Sequence, residues 1–546
     1  MRFSTYQVRG RSFVTLYPEA DRLYWKLRGE EMRPEGQYSS FGQAFRKTGD
    51  QGFPGGRFHT GAGRDTLMES DALHLQRELG GRALTLDEVL RWGEGFGSAE
   101  RTASALQWLC LTGRASVFPG VDDAGPALRR RCRRCGGKAG QIRTGTCARC
   151  GGKCAWCDQC VILGKSRACT PFFLLEPACD RIPPGNVEME RPILSPSQRD
   201  AARECLRWLS GEGEELLVWG VIDAGRKEMV FPAVCRTMEE GGRVLWLSPR
   251  KEEVIEVAER MRSVFPGTRV AEVHGDAGAH WADAELTCAT APQAIRFYHR
   301  FQLVVVDEGE ADLLNGVSGW WNGIRRAAAV TGKRIQLTVT PSRSRRRRAR
   351  RRNSLITVPV RYHGFPLPVP EVSRVWRFWR KVEHRASIPA LETFLTGACG
   401  EGGQVLLFVP GVPEADSLLQ WIRNRTVLRK VPFDAATGGD PDQSGKIHSF
   451  LTGELKGLVT TPSVGKGVAV PRCHIGVAGA DHPVFQKAVL IEIAGKAGRS
   501  GTYPKGRVCF FPSVRTEAQI GAIRDIREWN RLAAKRGYLR TEGEEP

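Results

Sequence analysis

Residues 216–229, LLVWGVIDAGRKEM, carry the spacing of a phosphate-binding loop. The apolar run Leu216-Leu217-Val218-Trp219 has the length of a buried strand. Gly220 and Gly225 follow with four residues between them, and a stretch with helix character opens at Lys227. In that order, backbone N–H groups and a helix N-terminus cradle phosphate, a Lys reaches the terminal phosphates and a Ser or Thr hydroxyl holds magnesium. Here Arg226 stands in the place of the Lys and Lys227 in the place of the hydroxyl. A guanidinium keeps the charge but is bulky and planar, so it does not reproduce a compact ammonium. Lys227 puts a cation near the metal's place. A slip of one residue would offer Lys227 as the phosphate Lys, but Glu228 would then replace the hydroxyl. Neither register restores the site. The loop is expected to keep its shape and lose turnover.

Two further features would serve the same chemistry. The Val-rich run QLVVVDEGEADLL (302–314) reads as a strand closed by acids. At the C-terminal end of a parallel strand, Asp307 would hold magnesium through water and Glu308 would polarise the attacking water. A strand cap is the plainer reading of the same residues. Gln198 lies just ahead of the loop and could read an adenine edge, or simply begin a helix.

A different chemistry is signalled upstream. The chain has sixteen Cys, nine of them between Cys132 and Cys179. Cys132-x2-Cys135-Gly and Cys147-x2-Cys150-Gly are knuckles, in which the Gly permits the turn that aims two thiolates at one metal. Together they predict a four-thiolate zinc ribbon. Cys154, Cys157, Cys160 and Cys169 could complete a second site, pack as buried thiols, or share ligands with the first. One or two zinc ions are expected, since clustered Cys in a reducing compartment reads as metal binding.

Charge points to a polyanion. The formal net charge is +21, which favours nucleic acid over membrane as the partner. RSRRRRARRR (343–352) is a solvated linker or a contact to a bound strand, the latter through Arg345, Arg346, Arg347 and Arg348. Trp376, Phe378 and Trp379 alternate with Arg374, Arg377 and Arg380, as stacking platforms or, the better reading, as a helix core face. No stretch of 18 apolar residues exists and the N-terminus lacks a signal core, so a cytoplasmic chain without a transmembrane segment is expected.

The elements that must position these residues follow from periodicity. Strand-like runs at 243–250, 302–314 and 336–340 alternate with helical ones such as 252–265, and the pattern resumes at 404–410, 415–423, 457–461, 474–478 and 508–512. Such alternation implies parallel sheets with helices on both faces. The predicted class is α/β, with two RecA-like parallel-sheet domains in tandem after a zinc ribbon and a small accessory domain. The boundaries expected are 1–130 for the accessory domain, 131–180 for the cysteine-rich domain, 181–345 and 346–515 for the two RecA-like domains, and 516–546 for a C-terminal helix.

The order of the blocks carries a family resemblance. The cysteine ribbon, VWGVIDAGRKEM, VVVDEGEADL, LTVTPS, VPVRYHGFPLPVP, LVTTPSVGKGV, AGADH and EIAGKAGRS resemble ComFA, a late-competence helicase-like family of superfamily 2. The resemblance covers roughly 130–540. It implies an ATP- and magnesium-dependent motor on single-stranded DNA, acting in DNA uptake at the inner face of the membrane beside a ComFC-like partner. It places the phosphate loop on Ala224, Gly225, Arg226 and Lys227, and the acidic box on Asp307 and Glu308, with Glu310 where the family has Asp. The coupling block falls on Thr338 and Thr340, the strand-contacting block on Thr460 and Thr461, and the arginine-finger block on Glu492, Gly495, Lys496, Gly498 and Arg499. Departures gather at the nucleotide: Arg226, Lys227, Glu492 for Gln, Lys496 for Arg, and Gly465-Lys466 for Glu-Arg. A motor architecture with weak or lost hydrolysis is the leading expectation. An active translocase with an atypical loop and a zinc-ribbon DNA scaffold without nucleotide are its rivals.

Overall fold

The computed structural model describes residues 2–49, 67–92, 97–124, 126–178, 182–275, 283–307, 320–465, 468 and 470–540. Glu308, Glu310, Lys466 and most of the Gly-rich stretch at 49–63 lie outside the described residues.

Antiparallel sheets build the N-terminal part. Phe3–Val8 is flanked by Arg11–Thr15 and Arg33–Tyr38. Helices Pro18–Lys26, Phe41–Lys47, Leu67–Leu79 and Ala99–Leu111 supply Tyr24, Phe41, Leu75 and Trp108 to one core. A second sheet places Pro171–Leu175 between Ala83–Thr85 and Ala115–Pro119. Its central strand comes after the cysteines and both neighbours come before them. The sheet therefore spans the expected 130/131 boundary, and the cysteine segment is an excursion from it. Buried Glu88 fastens the excursion down: its carboxylate accepts from Arg134 beside the knuckle and from Arg296 of the next unit.

Two parallel sheets follow. The first has seven strands, in the order Val270–Val273, Leu286–Thr290, Val244–Ser248, Phe301–Val306, Ala328–Thr338, Glu215–Gly220, Leu355–Val358. The second has six, in the order Glu371–Val372, Val508–Phe511, Cys473–Ala478, Gln404–Phe408, Gly457–Thr460, Phe433–Ala436. Every pairing in both is parallel. Strands such as Val244–Ser248 and Cys473–Ala478 are buried along their whole length, because helices cover both faces. Leu355–Val358 belongs to the first sheet, which thus runs past the expected 345/346 boundary.

The arginine run forms the helix Arg343–Arg351, capped by Ser342, whose hydroxyl accepts from Arg345 N at 3.4 Å. Ala349 is its buried contact. The helix is held onto the sheet by cations on rings: Arg345 lies 4.5 Å from the Trp321 centroid and Arg346 4.5 Å from that of Trp219.

The C-terminal helix Glu517–Lys535 ties the second unit back to the first. Trp529 meets Trp219 edge to face with centroids 4.1 Å apart, a pairing worth about 1 kcal/mol beyond the area it buries. Asn530 exchanges two hydrogen bonds of 2.8 Å with the backbone of Leu367, and Tyr538 donates to Asp200 at 2.8 Å. Of the aromatic run, Phe378 is core, whereas Trp376 stays exposed with Arg374 and Arg377 each 5.7 Å from its ring centroid.

Candidate functional site

The eight cysteines converge on two sites, but not in the expected sets. Cys132, Cys135, Cys157 and Cys160 form one, and Cys147, Cys150, Cys154 and Cys169 the other, with the sulfurs of each within 4.8 Å of one another. This corrects the grouping of Cys132 and Cys135 with Cys147 and Cys150. The cause is the strand Lys153–Cys157, which pairs with Ile142–Thr146. Side chains alternate along a strand, so Cys154 and Cys157, three apart, point to opposite faces and enter different sites. Knuckle one then takes Cys157 and Cys160, and knuckle two takes Cys154 and Cys169.

Both sets fit zinc. A tetrahedron with Zn–S near 2.3 Å needs sulfurs about 3.8 Å apart. Cys135–Cys157, Cys132–Cys160 and Cys147–Cys169 lie at 3.6, 3.7 and 3.9 Å. Gly136 and Gly151 turn the knuckles at φ +81° and +71°. At Gly136 a Cβ would also strike the Asn322 amide, and Asn322 Nδ2 donates to Cys135 O at 3.5 Å. Arg326 donates to the carbonyls of Arg133 and Arg134, so the first knuckle is docked on the helix Trp320–Ala327.

The phosphate loop runs from Gly220 to a 3-10 turn, Glu228–Val230, and the α-helix proper opens only at Phe231. Asp223 and Gly225 take positive φ, +57° and +63°. Arg226 is turned back: its stem lies against Gly220, and Nη1 donates to Val221 O at 3.1 Å. Lys227 points the other way and sets Nζ 3.4 Å from the buried carboxylate of Asp307. The ammonium therefore pairs with the acid that the resemblance assigns to magnesium, and Lys227 itself supplies no hydroxyl ligand. Magnesium does not fit this donor set as it stands.

Gln198 is committed to the protein's own backbone. Its Oε1 accepts from Ser195 N at 2.8 Å and its Nε2 donates to Ala224 O at 2.9 Å, so it braces the loop.

Across the cleft, Arg499 reaches the loop and meets Asp223, Nη2 to Oδ1 at 2.8 Å. Asp223 was not singled out from the sequence; its one signal is an acid inside a loop built to attract anions. Gly495 packs against the Ile222 side chain. Lys496 is buried and donates to Val468 O at 3.2 Å; burial pushes its pKa down to about 8 against the pull of Glu492. Arg361, from the stretch RYHGFPLPVP, is also a residue the sequence did not assign. It is fully buried and donates to the carbonyls of Gly495, Ala497 and Gly498. Next to it, burial and then the Arg361 charge push His363 down to about 4. Thr338 is buried and accepts from Thr340 N at 3.3 Å. Thr460 donates to Ala436 O at 2.8 Å, and Thr461 shares a 3.1 Å hydrogen bond with Ser463. Arg345 and Arg346 are used on the two Trp rings, which leaves Arg347 and Arg348 exposed.

The model of the competence protein ComFA N-terminal domain matches residues 69–174, the stretch that enters the second antiparallel sheet, passes through the cysteines and returns. Competence protein ComFA of Bacillus subtilis (strain 168) is 29% identical over 414 residues, covering 74% of this chain and 87% of that protein. Competence protein ComFA of Streptococcus pneumoniae (strain ATCC BAA-255 / R6) is 26% identical over 380 residues, covering 69% and 86%. Among solved structures, S. cerevisiae Dbp5 bound to RNA and ADP BeF3 gives a TM-score of 0.41 at 13% identity, covering 62% of this chain and 91% of that one. RecG bound to a three-way DNA junction gives 0.43 at 16%, covering 65% and 48%.

Proposed function

We propose that this chain, similar over most of its length to competence protein ComFA, is a helicase-like member of that family that binds single-stranded DNA during DNA uptake with ATP hydrolysis weak or lost. The observation that carries the reading is Lys227 Nζ at 3.4 Å from Asp307 Oδ2. A resident ammonium at that carboxylate repels a divalent cation and removes its hydroxyl ligand, while Arg226 is folded away from any phosphate. The Asp223–Arg499 pair acts in the same direction: the finger's charge is already met by an acid of the loop. Both charges are thus satisfied by the protein's own acids. Three kinds of contact join the two units: the Asp223–Arg499 pair, Arg361 on the finger block, and the C-terminal helix on Trp219.

Single-stranded DNA is supported by the net charge of +21 and by the family. A ComFC-like protein and the uptake machinery at the inner face of the membrane are the partners the family suggests. No described helix is long and apolar enough to cross a membrane. Zinc serves the fold: bound by two sets of four thiolates it would fix the cysteine segment on Asn322 and Arg326.

The test is ATP turnover by zinc-replete protein, with and without single-stranded DNA. Turnover near background in both, with DNA bound in the absence of nucleotide, is the expected result. Robust DNA-stimulated turnover that Asp307→Asn abolishes would overturn it in favour of a working atypical loop.

A further inference from the structure

We propose a second single-stranded nucleic-acid site on the first parallel-sheet unit, away from the cleft: one face of the arginine helix holds phosphates and an adjoining cavity takes a base. It rests on the reading of the chain as a DNA binder and adds to it a place and a mode of contact.

The cavity, about 610 Å³, opens between the sheet and the helices that cover it, a size suited to a small organic group. Its floor is a row across three strands, Leu217, Gln336 and Val306, which stand opposite one another in the register. Its walls are Trp321 and Arg325 from one helix and Arg345, Arg348 and Arg352 from the arginine segment. Gly213, Glu214, Arg334 and Ser354 line it where their strands begin. The cleft lies at the C-terminal ends of these strands, and the floor reaches that end only at Val306, the residue before Asp307. Arg334 pairs with Glu214 at 3.0 Å and with Glu215 at 3.3 Å, and Arg325 lies 3.9 Å from Glu215. Among the described residues, five arginines thus face two glutamates. Gln336 takes the middle of the floor, with its side chain partly exposed. Trp321, with Arg345 stacked on its ring, offers a flat apolar wall.

The cavity continues outward. Arg343, Arg347 and Arg351 recur every four residues and so share one helix face. With Arg348 and Arg352 they line an open groove of about 500 Å³, and no acid among the described residues lines it. Arg348 and Arg352 belong to both groove and cavity. Like charges at this spacing repel one another along the helix, and a bound polyanion relieves that repulsion. A row of cations beside an aromatic wall matches a strand whose bases are unstacked and accessible. A duplex keeps its base faces stacked and its Watson–Crick edges paired, and an anionic lipid headgroup has no ring to place against Trp321.

The experiment measures binding of fluorescein-labelled oligothymidylate to the full chain by anisotropy across a salt titration. It is paired with photocross-linking of a bromodeoxyuridine strand mapped by mass spectrometry. Arg343→Ser/Arg347→Ser/Arg351→Ser alters exposed positions only and should reduce the salt slope by about 2, since each single-strand phosphate contact contributes about 0.7. The cross-link should fall on the Trp321 peptide. If the unaltered chain binds no single strand, the DNA-binding reading fails with it. If it binds but the triple variant keeps its slope and no cross-link falls between 320 and 352, the second site alone is overturned. Equal competition by duplex overturns the base-binding cavity. Phosphatidylglycerol vesicles that bind the unaltered chain but not the triple variant, with single-strand binding unaffected, would assign the arginine face to a membrane instead.

Discussion

In the cysteine segment, eight thiol groups converge on two points, with the sulfurs of each set within 4.8 Å of one another. In the phosphate loop, Asp223 and Gly225 turn the backbone at positive φ, while Lys227 meets Asp307 and Asp223 meets Arg499. The first region is built to be completed from outside; the second is completed from within. The difference teaches what keeps each shape. A small cysteine-rich segment has little apolar core and depends on its metal for folding energy. The loop lies on a seven-stranded sheet whose packing holds it whether or not a nucleotide arrives.

The sharpest way to break this comparison is to remove metal. Chelation should unfold the cysteine segment, since structural zinc supplies on the order of 10 kcal/mol. Elemental analysis should give two zinc ions per chain. Cys132→Ser and Cys157→Ser should lose the same ion and Cys147→Ser the other. Loss of one common ion from Cys132→Ser and Cys147→Ser would restore the grouping read from the sequence.

Next in size is repair of the loop. Arg226→Lys/Lys227→Thr should raise DNA-stimulated ATP turnover about 100-fold or more, because it returns charge stabilisation to fixed positions. An unchanged rate would mean that Asp223 on Arg499, with Glu492, Lys496 and Gly465, also holds the site off.

A smaller effect tests whether Lys227 replaces a metal ion. Lys227→Ser leaves the buried Asp307 carboxylate unpaired and should cost about 1–2 kcal/mol by chemical denaturation, discounted for the partial exposure of Lys227. Magnesium should recover that loss in the variant and leave the unaltered chain unchanged. No magnesium response in the variant would remove the metal-mimic interpretation.

The smallest concerns pH. His363 titrates near 4 in the fold and near 6.5 unfolded, so the unfolded chain binds more protons between the two. The stability tied to the neutral ring is complete above about pH 6.5 and is lost as pH falls toward 4. Melting temperature against pH should show that slope, and His363→Gln should flatten it.

Much of the fold was legible because it is written in neighbours. Continuous apolar runs gave the buried strands of both sheets, and the helix expected at 252–265 forms as Lys251–Val264. The arginine run was harder: its charge suggested a linker, yet Ala349 and the two Trp rings make it a helix. The loop's lost side chains were evident from Arg226 and Lys227. Their directions were not, since a long cation can turn either way until its surroundings are known.

The residue order therefore sets which elements form, how many thiols are available and which residue types stand in the loop, all consequences of identity and short-range period. Where charges meet is another matter. Lys227 finds Asp307 and Asp223 finds Arg499 across distant stretches of chain, brought together by parallel crossovers and by the closing of one sheet on the other. Cys154 and Cys157 part because a strand turns alternate residues to opposite faces. Such pairings depend on packing in three dimensions, and nothing local in the chain encodes them.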